Sequence, residues 1–106
     1  MGGKTDREKV GEFSKKVKAD YPDAKIIFFG SRARGDALQE SDFDLIVVSK
    51  VFVKENFFKR TEKMYDYWSE RAPLEVFCYT PEEFNRKKNE IGIVKNAVET
   101  AASINP

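Results

Sequence analysis

Ala24-Lys25-Ile26-Ile27-Phe28-Phe29-Gly30-Ser31-Arg32-Ala33-Arg34-Gly35, joined by a polar connection to Ser41-Asp42-Phe43-Asp44-Leu45-Ile46-Val47-Val48, is the stretch that decides the fold. Two apolar runs of strand length flank a loop that is bracketed by glycines and carries two arginines. The second run opens with two carboxylates one residue apart. Successive side chains on a strand point to opposite faces, so Asp42 and Asp44 share one face and Phe43 and Leu45 the other. Two carboxylates held side by side repel unless something positive lies between them, and a hard divalent cation with oxygen ligands is the usual answer. Gly30 closes the first run where the backbone turns sharply, and its missing Cβ lets a ligand approach the main chain. Ser31 adds a hydroxyl and a backbone N–H at the start of a short helical turn, a good place for a phosphate. Taken separately, the glycines fit ordinary turns and the acids a solvated strand start. The ordered combination between two apolar strands is what carries information.

Gly30-Ser31, ten intervening residues and Asp42-Phe43-Asp44 resemble the glycine-serine and Asp-x-Asp signature of the polymerase-beta-type nucleotidyltransferase superfamily. Gly-Ser-Arg-Ala-Arg-Gly-Asp (30–36) with Ser-Asp-Phe-Asp-Leu (41–45) is similar in particular to the minimal nucleotidyltransferase (MNT) family of prokaryotes. The likeness is sharp over Phe29 to Val48 and looser over Pro73 to Phe84. It implies an α/β (α+β) fold with a polymerase-beta-like core, a small mixed sheet with flanking helices. It implies an enzyme that moves a nucleoside monophosphate, AMP from ATP, onto a hydroxyl. Asp42 and Asp44 would hold two Mg²⁺ ions, and Gly30 and Ser31 the β- and γ-phosphates. The superfamily also uses a third acid from a neighbouring strand, and here Glu75 occupies that place, one methylene longer than the family's commoner aspartate. Its expected work is to bind the second ion and help deprotonate the acceptor; the plainer reading of Glu75 is an exposed glutamate at a strand start. MNT proteins commonly pair with a helical HEPN partner, acting as antitoxins that transfer AMP to a tyrosine of the toxin. The resemblance therefore favours a protein hydroxyl as acceptor over a small molecule such as an aminoglycoside. Two other classes stay open: an antitoxin that works by occlusion with a vestigial nucleotide site, and a nucleotide-sensing regulatory domain.

Arginine forks suit phosphate and carboxylate alike, so Arg34 can reach a triphosphate or brace the loop on Asp36 or Glu40. Arg32, directly after Ser31, is the better phosphate candidate.

Composition narrows the rest. A chain of 106 residues reads as one domain, residues 1–106, large enough for one core. With 19 basic and 18 acidic side chains the net charge is +1, which argues against broad, sequence-indifferent nucleic-acid binding. The chain has no histidine, so Ser-His and Cys-His nucleophiles are excluded and a zinc site is disfavoured. Chemistry must come from carboxylates, hydroxyls and a bound metal. The lone Cys78 alternates with Leu74 and Val76 and reads as a small buried hydrophobe. No apolar run reaches membrane-spanning length and the first residues lack a hydrophobic signal region, so the expected location is cytoplasmic, with no membrane partner. A homo-oligomer is compatible with all of this.

Along the chain, Thr5-Asp6-Arg7-Glu8 fits a capping box, and Val10, Phe13, Val17 and Tyr21 follow at helical spacing, predicting a helix to about Asp20. Lys25 to Phe29, apolar on both faces, should be central in its sheet. Phe57, Thr61, Met64, Tyr65 and Trp68 predict a helix over about 54–70 whose aromatic stripe packs in the core. Pro73 introduces a third strand, Leu74 to Tyr79. Thr80-Pro81-Glu82-Glu83 starts another helix, and Ile91 to about Ala102 reads as a last amphipathic helix.

Overall fold

The computed structural model describes residues 3–35, 41–89 and 102–104. Helix α1 (Asp6–Asp20) begins at the expected capping box: Thr5 Oγ1 accepts from the Glu8 N–H, and Glu8 reaches back to the Thr5 N–H at 2.8 Å. Strand β1 (Lys25–Phe29) runs into the helical turn α2 (Gly30–Arg34), and β2 (Phe43–Val48) follows. A 3₁₀ turn (Lys50–Lys54) precedes α3 (Phe57–Asp66); then come β3 (Leu74–Tyr79), α4 (Pro81–Lys87) and β4 (Ala102–Ile104). The sheet order is β3-β2-β1-β4. β2 pairs antiparallel with β1 and parallel with β3, and β4 pairs antiparallel with β1. The mixed α/β sheet is therefore as expected, and β1 is interior, between β2 and β4.

One face of the sheet carries the main core. Val10, Phe13 and Val17 of α1 meet Ile26 and Phe28, Phe43, Leu45 and Val47, and Leu74, Val76 and Cys78, with Phe52 and Met64 closing it. The opposite face holds a smaller cluster in which Ile46, Val48 and Tyr79 pack with Ile27, Phe29, Phe77 and Phe84. β2 is thus buried on both faces, which explains its nearly unbroken apolar sequence. Burial pushes the Cys78 thiol up to about 12, as suits an inert core residue. Among the described residues no helix is long and apolar enough to cross a membrane.

Two expectations change, and a third lies mostly outside the described residues. The helix over 54–70 is shorter at both ends, because Ser49 caps a 3₁₀ turn and Asn56 caps α3, its Oδ1 accepting from the Lys59 N–H at 2.9 Å. The stripe expected in the core is not all there: Met64 is buried and Trp68 packs on the core with its indole N–H donating to Ala72 O, but Phe57 and Tyr65 face solvent. A buried arginine takes their place. Arg60 donates to the carbonyls of Phe52, Glu55 and Cys78 and to Glu83 Oε1 at 2.7 Å, tying the 3₁₀ turn, α3, β3 and α4 together. Finally, the expected last helix lies for the most part outside the described residues, and Ala102 at its end belongs to β4.

Candidate active site

Strand register brings the two parts of the sequence signature together. Phe29, the last residue of β1, sits opposite Asp44 in the antiparallel pair, so the Gly30 turn begins beside the carboxylate-bearing start of β2. On the other side of β2 the parallel ladder pairs Asp44 with Glu75. Asp44 is therefore flanked by the glycine turn and by the third acid. Asp42 precedes β2 and is exposed, as is Glu75.

Gly30 has φ of +84°, a backbone conformation that L side chains rarely adopt. A second constraint falls on the same residue: a Cβ there would overlap Asp44 Oδ2 and stand 3.0 Å from Asp44 Cγ. The glycine is required both for the turn and for the space in which the Asp44 carboxylate lies. Gly35, with φ of +83°, ends α2 in the left-handed conformation common after a helix.

The electrostatics single out Asp44. Burial raises its pKa above the usual aspartate value, and the negative fields of Glu75 and then Asp42 push in the same direction, with Arg34 as the opposing cation. Such a net excess of negative charge, only partly offset by Arg34, is what a bound cation would relieve. The donor set, all carboxylate oxygens, suits a hard ion such as Mg²⁺, which is ordinarily held by one or two carboxylates together with substrate phosphates and water. Among the described residues no group of three acids forms a ready-made cation cage.

The two arginines part company. The Arg34 charge acts on Asp44, on the acid side of the sheet. Arg32 is turned toward α1: its Nε donates to Ser41 O at 2.7 Å, its Nη1 pairs with Asp6 at 3.0 Å, and its guanidinium lies over the Phe43 ring at 4.3 Å. With those bonds Arg32 braces the backbone just before Asp42, a role that its place directly after Ser31 does not suggest. Asp6 was the missed residue here, and nothing in the linear sequence connects it to position 32. Ser31 lies in the first turn of α2, where backbone N–H groups have no partner within the helix. Asp36 and Glu40, the other candidate partners of Arg34, lie outside the described residues.

Comparison with known proteins identifies the family. The family model described as a nucleotidyltransferase domain matches residues 10–100. Among solved structures, the chain is similar to a proposed nucleotidyltransferase from Sulfolobus solfataricus, at 27% identity and a TM-score of 0.61, over 80% of this chain and 82% of that one. A second proposed nucleotidyltransferase shares the fold at 24% identity and a TM-score of 0.63, over 91% of this chain and 97% of the other. No protein of curated function matches.

Proposed function

Because this chain belongs to the nucleotidyltransferase-domain family, we propose that it is a minimal nucleotidyltransferase that moves AMP from ATP to a hydroxyl, with a tyrosine of a helical HEPN-type partner as the favoured acceptor. The observation that carries the reading is the register that places Asp44 between the Gly30 turn and Glu75. In this reading Gly30 lets the triphosphate approach the main chain, Ser31 donates to it through its hydroxyl and backbone N–H, and Arg34 adds positive charge. Asp42 and Asp44 are the residues that would hold two Mg²⁺ ions, which supply neutralisation of the phosphate charge when bound. The acceptor oxygen attacks the α-phosphorus; a new P–O bond forms as the bond to the β-phosphate oxygen breaks, pyrophosphate leaves, and the hydroxyl proton passes to the Glu75 carboxylate. Positioning and charge complementarity do most of this work, consistent with a site that lacks histidine. One domain, residues 1–106, carries the whole site, and the cytoplasm supplies its substrates.

A second reading is favoured by one observation, the absence among the described residues of a three-acid cluster, combined with the exposure of Glu75. In it the protein neutralises a partner by occlusion and its nucleotide site is vestigial. Incubation with α-labelled ATP, Mg²⁺ and the protein encoded by the adjacent reading frame separates the two. Label on a tyrosine of that protein supports transfer; a stable complex that never acquires label supports occlusion.

A further inference from the structure

The strand register lays out one face of the sheet in three rows. Phe29, Asp44 and Glu75 form the first, Ile27, Ile46 and Phe77 the second, and Lys25, Val48 and Tyr79 the third. Val48 stands four residues along β2 from Asp44, so the first and third rows are about 13 Å apart. Over the β1 side of the second and third rows, α4 leaves a cleft of about 640 Å³. Ile27, Val48 and Phe84 give it apolar walls. Lys25 of β1, Lys50 after β2 and Lys88 just past α4 stand round it, all exposed. None of the three is in a salt bridge among the described residues, where Lys4, Arg32, Arg60 and Lys63 are. Asp23 is the acid in the lining, and its carboxylate already accepts from Ser49 Oγ and the Lys50 N–H.

Apolar walls ringed by lysines from three separate elements suit an occupant that carries apolar side chains and several separate anionic groups. Lysine ammoniums are point charges, and no arginine fork lines the cleft to select a phosphate. A nucleic acid would also need a basic surface well beyond it, and the chain's net charge is +1. The cleft lies on the same sheet face as Asp44 and Glu75, and an extended polypeptide covers the separation in about four residues. Resting on the transferase reading, we propose that this cleft holds an acidic, partly apolar segment of the acceptor protein, which places the hydroxyl to be modified beside Glu75. The lysines then set which hydroxyl is chosen, one with carboxylates about four residues away along the chain. Their charge adds affinity and encounter rate rather than chemistry, because the third row is remote from Asp44.

Two short peptides test this, one with a tyrosine and a Glu-Leu-Glu stretch centred about four residues away on each side, the other with every glutamate replaced by glutamine. Fluorescence anisotropy without ATP reads their binding to the full chain independently of transfer. Wild type should bind the acidic peptide roughly tenfold more tightly than the neutral one, and Lys25→Gln/Lys50→Gln/Lys88→Gln, which changes only exposed side chains, should remove that preference. With labelled ATP and Mg²⁺ the same triple variant should raise KM for the acidic peptide by a similar factor and keep kcat. Equal affinity for the two peptides, or a preference that survives in the triple variant, overturns the proposal. So does displacement of the acidic peptide by an oligonucleotide of equal charge at lower concentration, which assigns the cleft to nucleic acid. Acidic-peptide binding that depends on the lysines but brings no label supports the cleft and counts against the transferase reading; label that reaches both peptides alike does the reverse.

Discussion

The two ends of the sheet treat their carboxylates in opposite ways. At the end where β2 leaves for the 3₁₀ turn, Asp23 accepts from Ser49 Oγ and the Lys50 N–H, each at 2.7 Å. Burial pushes Asp23 up, yet those donors more than offset it and hold it below the usual aspartate range. Glu83 repeats the pattern: burial raises it, and Arg60 with the Thr80 N–H pull it lower still. At the other end Asp44 is raised, by burial, by Glu75 and by Asp42. Charges that hold the fold are compensated within the chain; the charge at the candidate site is offset only in part, by Arg34. That contrast separates structure from function more sharply than exposure does, since members of both groups are partly exposed.

The largest effects are expected where the chain leaves its charge only partly offset. Gly30→Val should abolish transfer and also destabilise the protein by roughly 1–3 kcal/mol, because a side chain must adopt positive φ and displace Asp44. Unchanged activity in that protein would show that the turn does not shape the site. Asp44→Asn should lower transfer by roughly 10³-fold or more while leaving the fold intact, since the change removes repulsion and no packing. A transfer assay beside a thermal melt checks both halves.

At the compensated end the expected signature is reversed. Arg60→Met should cost about 3 kcal/mol of stability, because Glu83 and three carbonyls lose a buried partner, yet leave transfer per folded molecule unaltered. Denaturant unfolding measures the first and active-site-normalised rates the second. Loss of transfer without loss of stability would erase the distinction between the two ends. Glu75→Gln belongs to the first end: its rate should fall by roughly 10²-fold with nucleotide affinity nearly kept, as for a residue that takes the acceptor proton. Equal losses in rate and affinity would reassign Glu75 to nucleotide binding.

How much of this was legible in sequence differs between the same two regions. The acid end was plain, because a glycine turn, a spacing and an alternation are local and each carries its own chemistry. The capping box at Thr5 and the helix start at Thr80-Pro81 were likewise read from adjacent residues and stand as expected. The compensated end was opaque. Arg60 interrupts an aromatic stripe, and periodicity alone assigned the core to Phe57 and Tyr65; only the carbonyls of Phe52 and Cys78 and the carboxylate of Glu83, distant in sequence, make the arginine face the better one to bury. The pairing of Arg32 was hidden for the same reason, its partner Asp6 being 26 positions away. Tertiary partners of charged side chains are what a linear pattern cannot show.

The smallest expected effect is also the most direct reading of the contrast, the pH dependence of stability. Asp44 has a folded pKa above its ordinary value of 3.8. Between those two values the native state binds more protons than the unfolded chain, so stability falls as pH rises through that window and stays lower above it. Asp23 and Glu83, lowered from 3.8 and 4.5, act oppositely: their contribution is present above those values and is lost as pH falls through the folded ones. Asp44→Asn should therefore match wild type in acid, where Asp44 is protonated, and exceed it near pH 7. Asp23→Asn should show the mirror image, matching wild type in acid and falling below it at neutral pH. Urea unfolding of the three proteins across this range reads the difference. If Asp44→Asn runs parallel to wild type at every pH, Asp44 is not strained by its neighbours, and the site has no charge deficit for a cation to fill.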